Sequence, residues 1–184
     1  MQLRENKTKD LMIDLETLGK SNNAVIVQIG ACYFDRYTGE IGEKFLVNID
    51  IEDACKYGKL DASTVLWWLQ QSKEAQESVF NNSTRYSLKE SLQFLTHEIT
   101  DDIENVWCHP TFDWIILKSA YEAVGLEFPF KFWMARDLRT VVDLAEIDVY
   151  NDFKFEGIHH NALDDCLFQV KYLVHGINKL TGDK

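Results

Sequence analysis

The stretch Asp10-Leu11-Met12-Ile13-Asp14-Leu15-Glu16 decides the class of fold that the sequence encodes. Its apolar residues form a short run that suits a buried central strand. Asp14 and Glu16 alternate along this strand, so both carboxylates point to the same face of the sheet. Unpaired carboxylates are costly to bury, and no lysine or arginine falls at a neighbouring inward position. We therefore expect a bound cation at the end of this strand.

Further strands follow the first one along the chain. Residues 24–35 and 43–50 have the composition of two strands joined by a turn at residues 37–40, which predicts an antiparallel meander. Short strands are also predicted at residues 106–108 and 132–135. Together with the first strand, these segments predict a sheet of five strands.

Helices are predicted before, between and after the last two strands. Apolar periodicity and capping residues place them at residues 61–71, 72–80, 87–100, 112–124, 137–147 and 161–178. The last helix is expected to bury one stripe, formed by Leu163, Leu167, Val170, Val174 and Ile177. This order of elements predicts an α/β fold in which helices flank both faces of a central mixed five-stranded sheet.

Length and composition favour one domain over residues 1–184. Apolar residues make up 46% of the sequence, and no repeat, low-complexity tract or linker divides it. No window approaches the length of a membrane span, and the polar residues Met1 to Asp10 offer no secretory signal. The four cysteines lie far apart, which is typical of reduced thiols. We expect a cytoplasmic protein with no membrane contact.

The net charge of −11 limits how the protein could hold a nucleic acid. Proteins that bind long nucleic acids through their phosphates usually have a basic face. Most of the acidic excess is expected to be solvated surface. We expect Arg139 to pair with Asp137 or Asp143 rather than with a phosphate. A nucleic-acid substrate would therefore be held over a short length, near a metal centre, and with low processivity unless a partner assists.

Three more residues stand where strand ends and helix starts are expected to converge. Asp113 opens a predicted helix, and Asp165 lies in the last helix, five residues after His160. Each has an ordinary explanation when taken alone. Asp113 could be a helix N-cap, His160 a solvent-facing loop residue, and Asp165 a solvated helix residue with Asp164 as a competitor. Their occurrence together, on these elements and in this order, favours a functional site.

The chemistry that suits such a carboxylate cluster is two-metal phosphoryl transfer. Hard oxygen ligands select Mg²⁺ or Mn²⁺. Two ions roughly 3.5–4 Å apart stabilise the attacking and leaving oxygens of an in-line displacement. Asp14 and Glu16 can bridge both ions, and Asp113 and Asp165 can complete the metal shells. A histidine such as His160, with an ordinary pKa of about 6.5, can accept a proton from the attacking water.

These residues resemble the DEDD 3′→5′ exonucleases (DnaQ-like), in the branch with a catalytic histidine. Three family motifs occur in the expected order: D-x-E-T at Asp14, Glu16 and Thr17, Phe-Asp at Phe112 and Asp113, and H-x-A-x-x-D at His160, Ala162 and Asp165. The resemblance covers nearly the whole chain. It is greatest to the small phage and bacterial exonucleases of the DexA type and their exoribonuclease-like relatives. It implies a ribonuclease H-like fold.

The resemblance also implies a role for each matching residue of the metal site. Asp14, Glu16 and Asp165 would hold the tighter ion. Asp14 would also bridge to the second ion, with Asp113 supporting it directly or through water. His160 would be the general base that activates the nucleophilic water. These five residues form the predicted catalytic set, and the predicted cofactors are two Mg²⁺ or Mn²⁺ ions.

Contacts to the substrate are expected around the end of the first strand. The resemblance implies that Thr17 and Leu18 contact the terminal nucleotide, with Leu18 as an apolar wedge against the base. Trp67 and Trp68 could stack on bases, but neighbouring residues on a helix point about 100° apart, so only one is expected to face the cleft. Many relatives carry an asparagine shortly before Phe-Asp, and His109 is expected to make its polar contact here.

The sequence therefore predicts a two-metal-ion 3′→5′ exonuclease. It would release nucleoside 5′-monophosphates from single-stranded nucleic acid with a free 3′ end, with DNA slightly favoured over RNA. An exoribonuclease of the same family and a non-catalytic module that binds nucleic-acid ends are the alternatives. The H-x-A-x-x-D motif disfavours an endonuclease of the ribonuclease H type. A homodimer is compatible with the sequence.

Overall fold

The first strand lies at the centre of a mixed five-stranded sheet. The computed structural model describes residues 9–81, 84–99 and 102–182. The strands are β1 (Asp10–Thr17), β2 (Ile26–Phe34), β3 (Ile41–Asn48), β4 (Asn105–Cys108) and β5 (Ala135–Asp137). Their order in the sheet is β3-β2-β1-β4-β5. The first three strands are antiparallel neighbours, whereas β4 runs parallel to β1 and β5 parallel to β4. The predicted fold class is confirmed.

Helices follow the meander formed by the first three strands and separate the remaining strands. They are α1 (Ile51–Ala54), α2 (Ala62–Trp68), α3 (Lys73–Phe80), α4 (Leu88–Glu98), α5 (Ile115–Ala123), α6 (Leu138–Leu144), α7 (Val149–Asp152) and α8 (Ala162–Thr181). The sequence did not predict the single-turn helices α1 and α7, and Thr100, the predicted end of α4, lies outside the described residues. Within the described part of the chain, no helix is both long enough and apolar enough to cross a membrane.

The two faces of β1 belong to two separate apolar clusters. Leu11, Ile13 and Leu15 pack in a cluster that includes residues of α4 and α5. Met12 packs on the opposite face, in a cluster that includes residues of α6 and α8. Because successive side chains of a strand alternate between faces, Asp14 lies on the same face as Met12. The sheet therefore directs this carboxylate towards α8.

Two local predictions differ from the structure. Residues 132–135 do not form a strand, because Phe132–Met134 make a 3₁₀ turn in which Phe132 is 83% exposed, and the strand begins only at Ala135. The segment before α5 is a π-helical turn, Pro110–Trp114, rather than the start of an α-helix. Proline fits the first position of a helical turn because it needs no hydrogen-bond acceptor there.

Helix α8 buries a face that is rotated from the predicted one. Val170 and Ile177 are buried as expected, whereas three members of the predicted stripe, Leu163, Leu167 and Val174, are only partly buried. The buried positions include Cys166 and Leu173 instead. The thiol of Cys166 lies 3.4 Å from the carbonyl oxygen of Gly30, so this side of α8 rests directly against β2.

The contact between β2 and the start of α8 has no room for a side chain. A Cβ atom at Gly30 would lie 2.2 Å from the carbonyl carbon of Ala162. Beside it, the buried Gln28 side chain accepts a hydrogen bond from the backbone N–H of Ala162 at 2.8 Å. The amide nitrogen of Gln28 donates to Asn48 on β3 at 2.8 Å. Glycine and a buried amide thus fix the first turn of α8 against the sheet.

We predict that Gly30→Ala lowers the free energy of unfolding by about 3 kcal/mol, because the new methyl group meets backbone atoms that cannot move independently. Urea denaturation measures this loss. Gly125→Ala is the control for a glycine without close packing, because a Cβ atom at Gly125 would have no atom within 4 Å, although its φ is +72°. It should lose about 1 kcal/mol. Equal losses for both variants would contradict close packing at Gly30.

Candidate active site

The end of β1 presents two carboxylates to the first turn of α8. Asp14 lies opposite Gly30 of β2, and Glu16 lies opposite Gln28. The register of this strand pair shifts between Glu16 and Thr17. Such irregularities are common next to active sites, because they change the direction of the side chains that follow. The strand thus places both carboxylates at the same end of the sheet, and the chain changes direction directly after them.

Helix α8 contributes the third carboxylate. Asn161 caps the helix, and its side-chain oxygen accepts the backbone N–H groups of Leu163 and Asp164 at 3.1 Å each. This cap sets the first turn, in which Asp165 lies. Ligand atoms of Glu16, His160 and Asp165 lie within 4.8 Å of one another. The structure therefore brings these three predicted site residues together.

The neighbours of His160 and Asp165 have different positions and contacts. His159 stacks on Phe155, with ring centroids 3.8 Å apart. Asp164 accepts the backbone N–H of Ile158 at 2.8 Å and therefore holds the loop that precedes α8. A Cβ atom at Gly157 would lie 2.6 Å from the Asp164 carboxylate, so this loop requires glycine. Of each adjacent pair, the member predicted from the sequence is the one near Glu16.

His160 is held in an unusual backbone conformation. Its φ is +64°, in the left-handed region that residues other than glycine seldom adopt. The edge of its ring meets Trp67, with centroids 4.8 Å apart. Burial lowers the pKa of His160, and the neighbouring His159 lowers it further. The imidazole is therefore neutral at pH 7 and able to accept a proton.

Asp113 belongs to a second group of potential ligands. It lies in the π-helical turn, is 2% exposed, and accepts the backbone N–H of His109 at 2.8 Å. Ligand atoms of Asp14, His109 and Asp113 lie within 4.8 Å of one another. The two groups of ligands therefore meet at the end of β1, which contributes Asp14 to this group and Glu16 to the other.

These acids strongly disfavour being charged together. Burial raises the pKa values of Asp14 and Glu16 well above their ordinary range, and repulsion from neighbouring carboxylates adds to the effect. Burial also raises the pKa of Asp165 to about 6. Among residues 9–81, 84–99 and 102–182, no lysine or arginine forms an ion pair with any of the three. Oxygen donors with this uncompensated charge fit divalent cations.

Gln169 contacts the candidate metal ligand Asp14, although the sequence did not indicate this contact. It lies one turn after Asp165 on α8 and donates from Nε2 to the Asp14 carboxylate at 2.7 Å. Its Oε1 is buried without a hydrogen-bond partner among the described residues. The hydrogen bond orients Asp14, and only the spacing of four residues from Asp165 could have suggested it. His109 was singled out from the sequence, but not as a neighbour of Asp14.

A cleft of about 410 Å³ opens beside the acids. Its lining includes Glu16, Thr17, Trp67 and Phe112. Trp67 is 41% exposed, so it is the tryptophan that faces the cleft. Trp68 is 2% exposed, and its indole N–H donates to the carbonyl oxygen of Thr17 at 2.9 Å. Only one of the two tryptophans therefore faces the cleft, as expected, and Trp68 instead anchors the backbone at the end of β1.

The structure also differs from the expected contacts of Leu18 and Arg139. Leu18 is 6% exposed and packs in the main apolar cluster, which leaves almost none of its surface to wedge against a base. The side chain of Arg139 makes no ion pair with Asp137 or Asp143 within the described part of the chain. Asp137 instead caps α6 by accepting the backbone N–H of Arg139 at 3.0 Å.

We predict that Asp165→Asn stabilises the metal-free protein at pH 7.5 by about 1–2 kcal/mol. Since the pKa of Asp165 is about 6 in the folded protein and about 4 in an unfolded chain, wild type loses stability as the pH rises through this window. The Asp165→Asn variant has no carboxyl group to ionise at this position, so it does not lose stability over this pH range. Urea denaturation in EDTA at pH 4.5 and 7.5 tests the prediction. A difference in stability that does not change with pH would contradict it.

Most of the chain is similar to known proteins. The model of the Rv2179c-like 3′-5′ exoribonuclease domain matches residues 9–176. An exodeoxyribonuclease of Enterobacteria phage T4 is 25% identical over 208 residues, which cover 94% of this chain and 91% of that protein. The family model thus spans both groups of ligands, the cleft and all five strands.

Solved structures share the fold at low sequence identity. The nuclease domain of 3′hExo, a DEDDh family member bound to rAMP, has a TM-score of 0.61 at 12% identity and covers 97% of this chain and 96% of that one. The Mg²⁺- and Mn²⁺-bound form of S. pombe Pop2p has a TM-score of 0.59 at 11% identity, with coverages of 94% and 83%. The predicted ribonuclease H-like architecture is confirmed. Since the family model matches most of its length, the chain belongs to the Rv2179c-like domain family and is a 3′-5′ exonuclease of the DEDDh superfamily.

Proposed function

We propose that the protein releases nucleoside 5′-monophosphates from the 3′ end of single-stranded nucleic acid by a two-metal-ion mechanism. The observation that carries the proposal is the meeting of four carboxylates and His160 beside the cleft. The volume of that cleft, about 410 Å³, lies in the range of roughly 300–1,000 Å³ that is usual for small-ligand sites. A cleft of this size accommodates a terminal nucleotide rather than a long duplex.

The donor set supports binding of two divalent cations. Asp14, Glu16 and Asp165 would hold one ion, and Asp14 with Asp113 would hold the second. Mg²⁺ and Mn²⁺ are both present in the solved form of Pop2p, which has the same fold. When bound, such ions stabilise the charge on the attacking and leaving oxygens of a phosphodiester. Gln169 contributes by fixing the orientation of the Asp14 carboxylate.

His160 would accept the proton of the attacking water. Its lowered pKa keeps the ring neutral at pH 7, so a ring nitrogen is free to take that proton. The left-handed backbone and the edge contact with Trp67 restrict the position of the ring. A conformation that is costly to maintain is usually retained where it positions a functional group. The strain at His160 thus supports its role as the general base.

Trp67 and Phe112 would hold the terminal base. Both side chains line the cleft, and aromatic faces stack on bases of any sequence. Thr17 also lines the cleft, but its hydroxyl donates to the carbonyl oxygen of Gly19 at 2.7 Å. Apolar contacts of this kind suit a protein with a net charge of −11, because they do not require a basic surface.

The proposed preference between DNA and RNA as substrate is based on the relatives. The T4 relative, which this chain matches over 94% of its length, is an exodeoxyribonuclease, and this favours single-stranded DNA. The description of the family model names an exoribonuclease, so RNA is the alternative substrate. We also propose a cytoplasmic location, which agrees with four cysteines that are all free thiols.

A paired digestion tests this function. With Mg²⁺ or Mn²⁺, we expect single-stranded oligomers labelled at the 5′ end to shorten from the 3′ end, and nucleoside 5′-monophosphates to accumulate. Matched DNA and RNA oligomers reveal the preferred sugar. His160→Ala should lower the rate by a factor of about 10²–10⁴, because the attacking water loses its proton acceptor. EDTA should abolish turnover. Full activity in EDTA, or in the variant, would refute the mechanism.

We predict that Trp67→Ala weakens binding of a single-stranded oligomer about tenfold, because one base loses its stacking partner. Fluorescence anisotropy measures the affinity, in a His160→Ala background so that the oligomer stays intact. Leu69→Ala is the control, since Leu69 is exposed at the end of α2 but does not line the cleft. Equal effects of the two substitutions would argue against stacking on Trp67.

A further inference from the structure

His109 is built into the turn that carries Asp113. Its carbonyl oxygen accepts the backbone N–H groups of Phe112 and Asp113 at 2.8 and 2.9 Å. Its own N–H donates to the Asp113 carboxylate at 2.8 Å. These bonds place the imidazole and the carboxylate on the same side of the turn. Nδ1 of His109 and Oδ2 of Asp113 are consequently 3.4 Å apart.

This separation suits two ligands of one ion better than a direct bond between them. An N–H···O hydrogen bond usually measures about 2.7–3.2 Å. In an octahedral shell with bonds of about 2.1 Å, neighbouring ligands lie about 3.0 Å apart and opposite ligands about 4.2 Å apart. Ligand atoms of His109, Asp113 and Asp14 all lie within 4.8 Å of one another. The three side chains can therefore face a single ion.

The negative charge of Asp14 and Asp113 beside His109 favours binding of a cation. Asp113 is 2% exposed, and in the described part of the chain no lysine or arginine forms an ion pair with it or with Asp14. The His109 side chain is 20% exposed, so it borders on solvent from which an ion can enter. A divalent ion would compensate both carboxylates at once and would use the imidazole nitrogen as a third ligand.

We propose that His109 is a nitrogen ligand of the second metal ion, together with Asp14 and Asp113, and that it gives this position a preference for Mn²⁺ over Mg²⁺. The inference rests on the proposed two-metal function and adds a ligand to it. Mg²⁺ prefers an all-oxygen shell, whereas imidazole suits ions later in the first transition row and binds Mn²⁺ more readily than Mg²⁺. The identity of one side chain before Phe112 thus sets the metal preference.

Pulsed electron paramagnetic resonance of Mn²⁺ bound to the full chain tests the ligand directly, without turnover. We expect ¹⁴N modulation from a coordinated imidazole, which should persist in His160→Asn and disappear in His109→Asn. The control is needed because His160 also lies close to two carboxylates. Modulation that survives in His109→Asn, or none in wild type with two Mn²⁺ bound, would overturn the inference. No binding of Mn²⁺ at all would overturn the two-metal function as well.

Titration calorimetry with Mn²⁺ and with Mg²⁺ measures the metal preference. His109→Asn should reduce the ratio of Mn²⁺ to Mg²⁺ affinity at the weaker site about tenfold, since an amide oxygen replaces the nitrogen donor. Thermal unfolding in EDTA shows whether the variant remains folded. An unchanged ratio in a folded variant would contradict the proposed preference. If the two-metal function is correct but His109 is not a ligand, wild type and His109→Asn will both bind two ions. The ratio of Mn²⁺ to Mg²⁺ affinity will then be the same in the two proteins.

Discussion

Mutual repulsion between buried carboxylates governs how the strands and helices around the site must pack. Asp14, Glu16 and Asp165 approach one another where burial raises the pKa values of all three, and no basic side chain in the described residues pairs with them. Such an arrangement persists only if the surrounding backbone cannot relax. The rest of the fold supplies that rigidity through direct packing of backbone and through buried amides.

Two amide side chains hold the acids without neutralising them. Gln28 joins β2, β3 and the first turn of α8, so Asp165 cannot move away from Glu16 without breaking its hydrogen bonds. Gln169 holds Asp14 in place from the next turn of α8. Neutral amides satisfy backbone and carboxylate atoms but leave the negative charge for a cation. The site therefore keeps a negative charge that suits a cation, at a cost in the stability of the metal-free protein.

The acidic surface and the aromatic cleft fit the same mode of substrate binding. Two bound divalent cations would reduce the net charge only to about −7, so attraction over a long range does not hold a polyanion to this protein. Trp67 and Phe112 instead provide apolar contact within the cleft itself. Trp67 also contacts His160, and under the proposed function this contact would couple binding of a base to the position of the general base. Under the proposed function, contact with the substrate would therefore be concentrated at its end.

Much of the fold and of the candidate site could be predicted because the decisive signals are local. Alternation along β1 places Asp14 and Glu16 on one face in any sheet, and capping residues marked most helix starts within a residue or two. The 3₁₀ turn at Phe132–Met134 and the rotated face of α8 could not be read in this way. Both depend on which segments, distant in the sequence, pack against them.

The order of most elements, the family and the candidate acids and histidine could be read from the amino-acid sequence. Tertiary packing determines which tryptophan faces the cleft, that Leu18 is buried, and that Gln169 and His109 reach Asp14. The two differ because periodicity and motif spacing act within one segment. A contact such as that between Gln169 and Asp14 joins residues on a helix and a strand that meet only after the chain has folded.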